Sequence, residues 1–84
     1  MKVSDFIGER AKYDNDGQYI WGVSKEGGHQ MIADLRGWGA IQNLFKLPKG
    51  AIDIEKAEKF QDEVGEWIVA AINEKLENDK NKEV

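Results

Sequence analysis

The sequence predicts an α+β fold: a short N-terminal helix, a three-stranded antiparallel meander, a short helix, and a long C-terminal amphipathic helix packed on one face of the sheet. Two turn signals, Asn15-Asp16-Gly17 and Glu26-Gly27-Gly28, divide the first part of the chain into strand-length runs. From Asp53 onward the apolar residues recur at helical spacing. At 84 residues, 40% apolar and 33% charged, the chain has the size and composition of one small folded domain.

Ser4-Asp5 before Phe6-Ile7 has the pattern of a helix N-cap, and Gly8 keeps that helix short. Strands are expected over 10–14, 18–24 and 29–36. Each loop ends in glycine, as a three-residue hairpin with a left-handed last position requires. Three-residue loops pair Tyr13 with Tyr19 and Ala11 with Trp21, then Val23 with Met31, Trp21 with Ala33 and Tyr19 with Leu35. All of these fall on one apolar face, and a one-residue slip would mix the faces. Arg36-Gly37-Trp38-Gly39 suggests a sharp change of direction. Ile41, Leu44 and Phe45 then have helical spacing over 40–47, and Pro48-Lys49-Gly50 stops that helix with a turn.

Asp53 is the expected N-cap of the last helix. Ile54, Ala57, Phe60, Val64, Trp67, Ile68, Ala71 and Ile72 share one side of its helical wheel. Gly65 at the stripe's edge implies close approach of a neighbouring backbone. Lys75 falls near the centre of the stripe, so the helix should leave the core after about Ile72, with Leu76 a marginal contact. A helix over 53–77 would be roughly 37 Å long, against about 30 Å for a compact domain of this size. The domain is therefore placed at 1–78, with 79–84 a frayed tail. Trp21 and Trp67 are expected in the core, and Trp38, in a glycine-flanked connection, half exposed.

Several chemistries are excluded or disfavoured. There is no cysteine, hence no disulfide, thiolate zinc site or thiol catalysis. Asp14-Asn15-Asp16-Gly17 is not a calcium loop, because alignment puts Lys12 and Val23 where carboxylates are needed. His29 is the sole histidine, and with Ser24 it lies at a hairpin end without an evident oxyanion donor. The Gly27-Gly28 and Gly37-Trp38-Gly39 pairs match no phosphate-loop spacing. No cofactor, metal or enzymatic activity is implied. The longest apolar run, Trp67 to Ile72, is far short of a membrane span. The first residues lack the apolar region of a signal peptide, so a cytoplasmic location is expected.

Residues 1–50 carry seven basic and six acidic residues, and residues 51–84 carry five and ten. The acidic second part argues against direct nucleic-acid binding. The leading expectation is a non-enzymatic protein–protein interaction module, monomeric or weakly homodimeric, with Trp38, Ile41 and Phe45 as candidate contact residues for a protein partner. The alternative is an acidic inhibitor that occupies a basic, nucleic-acid-binding site on another protein through Glu55, Glu58, Asp62, Glu63 and Glu66.

The order helix, meander, C-terminal helix resembles double-stranded-RNA-binding domains in topology. That family contacts phosphates with lysines at the start of its final helix. Here the stretch reads Asp53-Ile54-Glu55-Lys56-Ala57-Glu58, and a further helix intervenes, so the resemblance does not imply RNA binding. The run from Gly28 to Gln42, with Phe60-Gln61-Asp62-Glu63, is similar to short uncharacterised bacterial proteins, including those of phage or mobile elements, and this likeness implies no activity.

Overall fold

The structure, a computed structural model, describes residues 1–82. Its elements are α1 (Val3–Ile7), β1 (Arg10–Asp14), β2 (Tyr19–Val23), β3 (His29–Asp34), α2 (Gly39–Gln42), a 3-10 turn (Asn43–Phe45) and α3 (Ile54–Lys82). The strands form an antiparallel sheet in the order β1-β2-β3, with α3 packed chiefly against β1. The expected α+β class and element order are present. No helix among the described residues is long and apolar enough to cross a membrane.

Helix α1 starts earlier than expected. Lys2, not Ser4, is the N-cap, and the Lys2 backbone N–H donates to the Asp5 carboxylate at 2.8 Å. Gly8 ends the helix at φ +93, a conformation open to glycine.

Both hairpin registers differ from the sequence expectation, and the reason is local. In the first, Asp14 pairs with Tyr19, Tyr13 with Ile20 and Ala11 with Gly22. The loop thus has four residues. Asp14 Oδ1 accepts from the backbone N–H groups of Asp16 and Gly17 at 3.0 and 3.4 Å, an aspartate turn that tightens the loop from within. The left-handed position falls to Gln18 at φ 59, whose carbonyl accepts from the Leu35 N–H at 3.0 Å. In the second hairpin the loop does have three residues, Lys25-Glu26-Gly27, closed by the Ser24 N–H donating to the Gly28 carbonyl at 2.8 Å. The left-handed glycine is Gly27, at φ +88. Trp21 therefore faces Met31 and not Ala33. An irregularity between Ile20 and Trp21 then shifts the register, pairing Ile20 with Ala33 and Tyr19 with Asp34. Ile32 and Ala33 both pack against the core, as an extra residue in one strand permits.

The consequence is that β2 turns the other way. Ala11 and Tyr13 face the helix as expected, but their β2 neighbours are Gly22 and Ile20. Tyr19 and Trp21 lie on the outer face. The core gathers Ile7, Ala11, Tyr13, Ile20, Leu35, Val69 and Leu76, with Ile20 and Leu35 fully buried.

The connection after β3 is shorter in helix than predicted. Only 39–42 is α-helical, continuing into the 3-10 turn. The Gly50 N–H donates to the Leu47 carbonyl at 2.9 Å, closing the expected turn at Pro48-Lys49-Gly50. Asp53 caps α3 as expected, its Oδ1 accepting from the Lys56 N–H at 3.2 Å. The helix then runs beyond the expected end at 77, through Lys82, and Leu76 is buried rather than marginal. Its 29 residues make it about 44 Å long. The molecule is elongated accordingly, 56 Å in its longest extent. Of the expected frayed tail, Asp79 to Lys82 are helical and Glu83 and Val84 lie outside the described residues.

Candidate interaction surface

Which face of α3 meets the sheet decides what is left for a partner. The buried row is Ala57, Gln61, Gly65 and Val69, continued by Asn73 and Leu76. Spaced four apart along most of its length, it winds slowly round the helix, about a quarter turn from the centre of the apolar stripe read from the sequence. Two contacts hold it there. The Tyr13 ring lies against Gly65, where a Cβ would collide with the ring carbons. The close approach inferred from Gly65 is thus to an aromatic ring, not to backbone. Beside it, Tyr13 Oη donates to Asp62 Oδ1 at 2.6 Å. One turn beyond Val69, the Asn73 side chain grips the β1 backbone: Oδ1 accepts from the Ala11 N–H at 2.7 Å and Nδ2 donates to the Ala11 carbonyl at 3.0 Å. β1 is an edge strand, and Asn73 satisfies one residue of its outward backbone as a further strand would.

The rotation leaves aromatic surface outside. Trp67, expected as the core anchor, is 60% exposed. Its ring meets Phe60 edge-on at 5.7 Å, and Phe60 meets Phe45 at 5.8 Å. Phe45, Phe60 and Trp67 thus form a ladder from the 3-10 turn onto the side of α3. Val64 is half-buried and Ala71 exposed on the same side. Leu44, Leu47 and Ile54 are also exposed. Trp67 is missing from the core because the close approach of β1 falls at Gly65, where the Tyr13 ring fills the space a side chain would take. Ala57 and Gly65 stand eight residues apart, a little over two turns, in the buried row, and small residues at that spacing are the signal that would have pointed to it.

The residues singled out from the sequence scatter. Trp38 is 38% exposed and its Nε1 donates to the Asp34 carbonyl at 3.0 Å. Ile41 is buried, only 5% exposed. Phe45 is half-buried in the ladder. Of the acidic face, Glu55, Glu58, Glu63 and Glu66 are exposed, whereas Asp62 is engaged by Tyr13. That carboxylate and burial of the ring raise the Tyr13 pKa well above the ordinary phenol range, burial being the larger cause.

The outer sheet face is a second surface that the expected register would have hidden. Trp21 stands edge-on to Tyr19 at 5.8 Å and to His29 at 6.2 Å. Its Nε1 donates to Asp14 Oδ2 at 3.4 Å, which together with the turn N–H groups lowers the Asp14 pKa. The Arg36 guanidinium lies 4.8 Å from the Tyr19 ring centre and is bridged to Asp34 at 2.8 Å. This pairing lowers the Asp34 pKa and raises that of Arg36. A shallow depression of about 430 Å³ lies between Lys12, Asp14, Asn15, Trp21 and His29. His29 and Ser24 are not in hydrogen-bond contact here: Ser24 Oγ accepts from the Gly28 N–H at 2.9 Å, and His29 packs on Trp21. Among the described residues no group of three or more His, Cys, Asp or Glu could hold a metal ion.

Comparison with protein-family models, with curated proteins and with solved structures gave no match.

Proposed function

We propose that this protein is a non-enzymatic protein–protein interaction module that docks through the ladder Phe45–Phe60–Trp67. The exposure of Trp67 carries the reading. A tryptophan ring standing in water forgoes a large burial gain. Here it does so in continuity with two other rings, and Leu44, Leu47 and Ile54 are exposed as well. Contiguous apolar surface of this kind on a small domain marks a contact site, and tryptophan is enriched among the residues that dominate binding energy. The anchor thus moves from Trp38 and Ile41 to Trp67 and Phe60, while Phe45 is retained. The acidic-inhibitor alternative loses Asp62 to the fold.

A photo-crosslinking side chain at position 67, introduced in the native cell, tests the reading against the same probe at the exposed hairpin residue Lys25. A discrete protein adduct at 67 and none at 25 is expected. Equal labelling at both positions, or none, would sink it. Salt separates the two modes of binding: association through an aromatic ladder should be nearly indifferent to ionic strength, and association through the glutamates should weaken steeply.

A further inference from the structure

The apolar residues that α3 leaves exposed or half-buried are not merely adjacent. Phe60, Val64, Trp67 and Ala71 follow one another at spacings of four, three and four, the alternation of a helix-pairing seam and not of the sheet-facing row. From the geometry we infer that a second copy of this chain covers this seam, its α3 running antiparallel to the first about a two-fold axis. The inference rests on the interaction reading above and names its partner.

The seam is self-complementary in one direction only. In an antiparallel pair, residues of the two alternating seam positions layer against each other. Phe60 then meets the partner's Ala71, and Val64 meets the partner's Trp67, and the two-fold axis repeats both contacts. Each layer puts a large side chain against a smaller one, the alternation that fills space at native density. A parallel pair would instead stack Trp67 on Trp67 and leave Ala71 on Ala71, with Glu74 facing Glu74 at the end of the seam. Charge points the same way. Flanking the seam, exposed Lys56 lies opposite the partner's Glu77 in the antiparallel register, whereas in the parallel one its counterpart position is Gln61, which is buried against the rest of its own chain and offers no ion pair. The paired segment from 56 to 77 is about 30 Å long. That is a small interface, so the dimer should be a weak, concentration-dependent one.

Sedimentation equilibrium of the full chain across the micromolar range reads the dimer directly. The expected result is a reversible monomer–dimer equilibrium. Trp67→Ser should weaken it by at least about tenfold, since an anchoring tryptophan is lost from each copy, with an unchanged far-UV spectrum. Lys56→Glu and Glu77→Lys should each weaken dimerisation, and the double variant should restore it. If the double variant dimerises no better than the single ones, the antiparallel register is wrong. A chain that stays monomeric throughout overturns the inference. If such a monomer still yields a discrete adduct with a different protein through position 67, the interaction reading survives with another partner. If it yields none, both fail.

Discussion

At the scale of single residues, exposure and burial invert the roles of the tryptophan and of smaller side chains. Trp67→Ala should cost little, since the ring is 60% exposed. Leu35→Ala, at a fully buried position, should cost about 2–5 kcal/mol. Chemical denaturation of both variants checks this, and a Trp67→Ala protein as unstable as Leu35→Ala would contradict the orientation of α3. Gln61 is a residue where the fold is poorer than it could be. It is 3% exposed and its Nε2 has no hydrogen-bond partner among the described residues. Replacing it by the near-isosteric methionine should raise stability by about 1 kcal/mol, because an unpaired buried amide is removed. Tyr13 gives a pH signature. Its folded pKa is raised by burial and by Asp62, so its contribution is complete below about pH 10, the pKa of a free phenol, and is lost as pH rises above that value. Tyr13→Phe should remove this part of the alkaline loss of melting temperature. An equally steep alkaline loss in the variant would show that other groups cause it.

At the scale of elements, the docking of α3 on β1 is decided by one glycine and one asparagine. Gly65→Ala would ordinarily improve a helix by about 1 kcal/mol. Here the added Cβ meets the Tyr13 ring, and overpacking of this kind costs about 1–3 kcal/mol. A lower melting temperature is therefore expected, and a higher one would mean that Tyr13 can move aside. Asn73→Ala should cost about 1–3 kcal/mol, since it leaves the Ala11 N–H and carbonyl without partners in a partly buried place. The turn chemistry explains why strand spans were legible while registers were not. Asn15-Asp16-Gly17 and Glu26-Gly27-Gly28 mark where the chain reverses. Which residue becomes left-handed depends on interactions that composition does not show: the Asp14 carboxylate inside the first loop and the N–H of Leu35, just past the end of β3, donating to the Gln18 carbonyl.

At the scale of the whole molecule, α3 is the spine to which most other elements attach, while β3 joins through β2. The middle of the helix carries β1, and α1, α2 and the 3-10 turn also pack against it. Its last buried residue is Leu76. Truncation after residue 78 should therefore leave the melting temperature within a few degrees of the full chain. Truncation after Ile72 removes Asn73 and Leu76 together and should abolish cooperative unfolding. Thermal melts followed by circular dichroism distinguish the two, and a cooperative transition in the shorter chain would show that the last turns contribute nothing.

What the sequence by itself determined is the inventory and its order: the helix, three strands, short connection and long helix, the Asp53 cap, the Pro48-Lys49-Gly50 turn, and the inward face of β1. Each follows from local chemistry, a capping side chain, a turn residue or an alternation confined to one segment. The tertiary structure alone decided two orientations. β2 is apolar on both sides, with Ile20 on one and Tyr19 and Trp21 on the other, so its pattern admits either face. The helix has a large-residue stripe and a small-residue row, and hydrophobicity favours the stripe. The row faces the sheet because Tyr13 needs the open space at Gly65 and the Asp62 carboxylate, and because β1 presents the Ala11 backbone to Asn73. Steric fit and the pairing of buried polar groups outweighed the burial of one tryptophan, and they left it at the surface.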